Sequence, residues 1–131
     1  MGSFANYLEL KLLDHIVGKT SYTMPTTYIG LSTVDPADDA SGLAEPSGGS
    51  YARVATAGGD WNAAASGAID NANVITFPTA SGAWGTVTHF ALFDAISGGN
   101  MLAHGSLAVE KAITSGDTAS FAAGALDITL D

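Results

Sequence analysis

From Trp84 onward the chain reads WGTVTHFALFDAISGGNMLAHGSLAVEKAITSGDTASFAAGALDITL, short alternating apolar and polar runs cut by Gly-rich turns. Turn signals fall at residues 94–100, at 115–117 and at Gly124. That spacing is too tight for crossover helices, so successive strands must run antiparallel. This constraint predicts strands over 86–93, 101–108, 112–114, 119–122 and 125–130, with a hairpin over 94–100.

Upstream, TTYIGLS (26–32), YARVATA (51–57) and NVITF (73–77) carry the β-branched alternation of further strands. Residues 4–17 are the exception and read as a helix. Ser3 is placed to cap its start, and Gly18 to end it by adopting positive φ. About seven or eight short strands after one helix predict an all-β fold, an antiparallel sandwich or barrel-like domain with one N-terminal α-helix. One domain spans 1–131, with the helix in 1–18, an extended loop or arm in 33–50 and the main sheet in 51–131.

The helix is apolar around too much of its circumference for one sheet face. Phe4, Leu8, Leu12 and Ile16 form one stripe, and Leu13 and Val17 extend it, leaving Tyr7, Lys11, Asp14 and His15 as the polar edge. The arm, TVDPADDASGLAEPSGGS, holds Val34, Pro36, Leu43 and Pro46 among four acidic residues. Its length and composition fit a segment that reaches a neighbour. Phe4, Tyr7, Leu8, Leu12, Leu13, Ile16, Val17, Val34, Pro36, Leu43 and Pro46 are therefore the candidate assembly residues.

Composition narrows the function. A net charge of -9 with four basic residues scattered along the chain argues against binding a phosphate backbone. No apolar run approaches the ~20 residues of a membrane span, and the N-terminus lacks the pattern of a secretory leader. With no cysteine, disulfides, thiolate zinc sites and cysteine nucleophiles are excluded. A charged fraction of 13% beside 47% hydrophobic residues suits a surface that packs against neighbours.

Sites of chemistry are sparse. Asp35, Asp38 and Asp39 lack the alternating ligand spacing and distal Glu of a calcium loop. A hairpin centred near residues 96 and 97 would set His89 and His104 opposite each other, about 5.5 Å apart at Cβ. They are a candidate pH-sensitive pair, but two imidazoles make no stable metal site without a third ligand. Trp61, Trp84 and Tyr51 form either a sugar-binding platform or core filling. Without a nucleophile elbow, a paired set of carboxylates or a phosphate loop, the expectation is no enzyme, no catalytic residue, no metal and no cofactor.

SFANYLELKLLDHIVGKTSYT, the YIGLST strand with its Asp-Pro loop, the SYARV strand and the THFALFDAISGGN hairpin together resemble small virion proteins of tailed bacteriophages. Members are commonly labelled tail-fibre-like, and similar small β-proteins serve as capsid decoration or cement. The resemblance implies a virion structural protein, assembled in the bacterial cytoplasm. Lacking the repeated shaft of an adsorption fibre, the chain is expected to bind the major capsid protein and itself, as a homotrimer, and to stabilise the shell. The alternative is a tail-associated, fibre-like adsorption module facing a host receptor.

Overall fold

The computed structural model describes residues 2–130. Strands dominate: β1 (Gly2–Phe4), β2 (Thr27–Ser32), β3 (Val54–Thr56), β4 (Ala68–Asp70), β5 (Ile75–Thr76), β6 (Gly85–Phe93), β7 (Met101–Ile113), β8 (Ser120–Phe121) and β9 (Asp127–Thr129), with one helix, α1 (Asn6–Ile16). Seven strands form one sheet in the order β3-β2-β6-β7-β1-β9-β4, curled into a half-barrel, and β5 pairs with β8 as a separate ribbon. The all-β class with one N-terminal helix is thus the observed one. Pairing is antiparallel except between β1 and β9, which run parallel.

Period-two alternation assigns the two faces. Ile29, Leu31, Val87, Phe90, Ala103 and Ile128 point to the concave side, where Ile75 and Phe77 from the ribbon region, Trp84 and Leu126 complete the core. Phe77, Trp84, Phe90 and Phe121 meet in tilted or edge-on pairs with centroids 6.2–6.5 Å apart, the arrangement that aromatic quadrupoles favour. Ala91, Phe93 and Met101 face the convex side, covered by Ala5, Ala40 and Leu43.

The chain's first residues depart from the sequence expectation. Ser3 does not cap the helix: it lies in β1, opposite His104 of β7 and Thr129 of β9. Pairing on both flanks satisfies more backbone groups than one cap would. The helix starts instead after Ala5, which makes no side-chain cap, and the Asn6 N–H donates to the Asp38 carbonyl at 3.0 Å. Gly18 ends the helix as expected, at φ 76°, its N–H donating to the His15 carbonyl.

Residues 33–50 are irregular, as expected, but they are folded back over the convex face rather than extended. Thr33 N–H donates to the Ala44 carbonyl, and Ser32 Oγ donates to the Val34 carbonyl while accepting from Ala44 N–H. Glu45 then meets Arg53 at 2.7 Å. Gly30 makes room for this closure, since a Cβ there would lie 2.8 Å from Glu45 Oε1 and 2.9 Å from both the Phe93 ring and the Tyr51 hydroxyl.

Strands 101–108 and 112–114 are joined in β7, but the break expected between them exists in another form. Val87 pairs with Lys111 and His89 with Ser106, so one residue of β6, Thr88, faces four of β7, 107–110. This wide bulge throws Ala108, Val109 and Glu110 into solvent.

Candidate functional site

Helix α1 leaves the sheet through Ala5 and Leu8, which are buried, while Leu12 and Tyr7 are half-buried. Beyond them Leu10, Leu13, Ile16 and Val17 are exposed, by 64%, 58%, 72% and 74%. Leu10, Leu13 and Val17 follow the i, i+3, i+7 spacing of one helical stripe. Phe4, expected on the same surface, instead packs on the concave core. The helix therefore divides into an inner apolar edge that fastens it and an outer one that nothing among the described residues covers.

The acidic segment places its residues differently. Pro36 and Pro46 are buried within the chain and Leu43 packs on the convex cluster, whereas Val34 is 52% exposed. Buried prolines cannot also meet a partner, so of these four residues Val34 presents the largest accessible apolar surface. Asp35 and Asp39 accept the N–H of Ala37 and Ser41, each two residues on, and the Ser41 hydrogen bonds hold the Asp39 carboxyl below the usual carboxylate range. They stabilise local turns. Among the described residues, no group of three or more His, Asp or Glu side chains is placed to hold a metal ion.

His89 and His104 share the convex face but are not opposite each other. His104 pairs with Ala91 and His89 with Ser106, because the 94–100 loop is centred on residue 97 and a one-residue register shift follows at Leu92/Phe93. The two imidazoles are thus diagonal neighbours with separate partners. His89 Nδ1 lies 2.8 Å from Thr88 Oγ1. His104 Nε2 lies 2.7 Å from Asp38 Oδ1, and its Nδ1 3.8 Å from Asp35 Oδ1. With its side chain 13% exposed, His104 pins the acidic segment to β7.

A second clamp was not legible in the sequence. The Arg53 guanidinium stacks 3.4 Å from the Phe93 ring centroid, donates to both carboxylate oxygens of Glu45, and caps the carbonyls of Ala95 and Gly98. It joins the segment, β3 and the hairpin turn. Tyr51 adds to it by donating to Glu45 at 2.7 Å and accepting the Leu31 N–H at 2.9 Å. Burial pushes its phenol well above the usual tyrosine range.

That placement decides the aromatic trio. Trp84 is 4% exposed and donates to the Gly49 carbonyl, with the Tyr51 ring edge-on at 5.2 Å. These two fill the core. Trp61 is half-buried, donates to Thr56 Oγ1, and lines an apolar groove of about 470 Å³ at one mouth of the half-barrel with Phe4, Met24, Ile69, Leu92 and Ile128. A larger cleft of about 690 Å³ opens between the β7 bulge and residues 117–127.

No helix among the described residues is long and apolar enough to cross a membrane. No curated protein matches the chain. The family described as podophage GP4 fiber I protein gp80 matches residues 3–129. The chain belongs to that family, and is a small virion structural protein of a tailed phage, with tail-fibre-like character.

Proposed function

We propose that the chain is a repeated fibre-type subunit of the virion surface that acts through assembly, with the outer stripe of α1 joining it to copies of itself. The exposed run Leu10, Leu13 and Val17 carries this reading. Charge supports a second copy as the occupant. In a chain of net charge -9, Lys11 and Lys19 on or just past α1 balance Glu9 and Asp14, two against two. Copies meeting there avoid the repulsion that most of the remaining surface would impose. A homotrimer places three such stripes around one axis and leaves each concave core undisturbed.

The family's fibre description favours attachment to the tail. Decoration of the head, bound to the major capsid protein at shell junctions, is the second reading. It is favoured by the single compact sheet, which carries no repeated shaft among the described residues. In either place the mechanism is the same: a subunit that binds the assembled particle but not its dissociated parts stabilises the particle by mass action, and many copies compensate for modest contacts. The reading is of a structural role without turnover.

Sedimentation of the wild-type chain and of Leu13→Asp/Val17→Asp tests the joint, followed by gold labelling of virions carrying each. The doubly substituted chain is expected to stay folded, since both side chains are exposed, losing about 1–2 kcal/mol because aspartate at a helix C-terminus opposes the dipole, yet to sediment as a monomer and to be lost from particles. A variant that still assembles removes α1 as the joint. Gold at the tail supports the fibre placement, and gold over the head the decoration placement.

A further inference from the structure

The groove at the mouth of the half-barrel and the outer stripe of α1 are separate surfaces with one property in common. Among the described residues, those that line the groove carry no charge. Three of its polar side chains are satisfied within the chain: Trp61 Nε1 donates to Thr56 Oγ1 at 3.1 Å, and Thr56 Oγ1 lies 2.7 Å from Thr27 Oγ1. An apolar occupant therefore covers the indole and both hydroxyls without stripping them of their partners. At the rim, Met24 is 88% exposed, a flexible thioether able to shape itself to whatever enters. The larger cleft differs. Lys111, Asp117 and Asp127 line it, and an apolar occupant there would take water from charged groups.

We infer that this groove is the seat for α1 of a second copy, whose Leu10, Leu13 and Val17 enter as anchors against Trp61, Ile69, Leu92 and Ile128. Their i, i+3, i+7 spacing is that of a helix laid in an apolar groove. The inference rests on α1 being the joint between copies and names the surface that it meets. The occupant is not the chain's own helix, because no residue of α1 lines the groove and the stripe stays exposed. Charge favours a second copy. Chains of net charge -9 repel, but here an uncharged groove meets a stripe whose neighbours Glu9, Lys11, Asp14 and Lys19 balance two against two, so the contact adds nothing to that repulsion. Stripe and groove are different patches, which makes the contact heterologous, and a three-fold ring that closes uses every stripe and every groove once. Three stripes meeting only one another would leave all three grooves open.

Sedimentation of two altered chains, apart and mixed, tests it. Leu13→Asp/Val17→Asp blocks the stripe, and Met24→Asp/Ala57→Asp brings charge to the groove at two exposed side chains. Each alone is expected to sediment as a monomer with its cooperative thermal transition retained, whereas the conservative Met24→Leu should assemble like the wild-type chain. In an equimolar mixture the intact stripe of the groove variant fits the intact groove of the stripe variant, while the two altered surfaces, both acidic, repel. The sedimenting mass should therefore double, to a one-to-one pair. A stripe variant that still assembles shows that α1 is not the joint, and the reading beneath the inference fails with it. A monomeric stripe variant beside a groove variant that assembles like the wild type leaves α1 as the joint and removes the groove as its seat. Two folded monomers that stay apart on mixing remove the groove as well.

Discussion

On the concave side of the sheet, Ile29, Leu31, Val87 and Phe90 close against Phe77, Trp84 and Leu126 in one apolar cluster. On the convex side the cover is a backbone segment with no regular structure, held by His104 on Asp38, by Arg53 on Glu45 and by a small cluster of Ala5, Ala91, Phe93 and Met101. Burial of apolar area is tolerant of small displacements and insensitive to solution conditions near neutrality, whereas ion pairs and charge-assisted hydrogen bonds depend on geometry and ionisation. One sheet thus carries a face that makes the fold and a face that fixes where a loop and a turn lie upon it.

The comparison breaks first if the concave face can be hollowed without global loss. Phe90→Ala, at a site 2% exposed, is expected to cost about 3–5 kcal/mol, read as a lower urea midpoint common to every spectroscopic probe. Arg53→Met should cost less, about 2–3 kcal/mol. It leaves Glu45 charged without its guanidinium, but that carboxylate's side chain keeps 20% of its surface in water. Native-state exchange should show residues 33–50 and the 94–100 turn opening together while β2 and β6 stay protected. Should β2 and β6 open with them, the two faces are one cooperative unit.

Tyr51 sharpens the comparison because its ring lies in the aromatic core and its hydroxyl on the polar clamp. Burial raises its pKa above the ordinary 10.0, so the folded state favours the neutral phenol. That contribution is intact below pH 10 and is lost as pH rises beyond it, where the unfolded chain's tyrosine ionises and the buried one resists. Stability should therefore fall on the alkaline side, with a slope that Tyr51→Phe reduces. The smallest effect is expected from His104→Ala. About 1 kcal/mol or less is at stake, since both carboxylates facing the ring are half or more exposed, and the readout is faster amide exchange near Asp38 with the sheet unchanged.

Much of this molecule was legible before any coordinates. The alternation in YIGLS and in THFALF found β2 and β6 within a residue or so, because period-two patterning directly records a sheet with two unlike faces. The break near residues 109–111 marked the β7 bulge without naming it. Two strands were missed, β1 and β4, each three residues long. Segments that short carry no period of their own, and β1 exists only because β7 and β9 flank it. For the same reason Ser3 was misplaced as a helix cap. The histidine pair failed by register: the centre of the turn and a bulge are decided by local backbone packing, and a shift of two residues turns partners into diagonal neighbours.

For the candidate site the division is similar. The excess of apolar residues on α1 was legible, since a helical wheel needs only 3.6 residues per turn to draw it. Which part of that excess stays exposed followed from where β1 places the helix start.

By itself, then, the sequence determined the all-β class, the helix that ends at Gly18, the turn positions and the acidic charge balance, all properties written in local pattern and composition. Tertiary structure alone decided that residues 33–50 lie across the sheet, that Gly30 leaves room for Glu45 and Tyr51, and that His104 meets Asp38 across 66 positions. Each of these joins residues far apart in the chain, and no local preference encodes such a meeting; it follows from the closure of the sheet around its core.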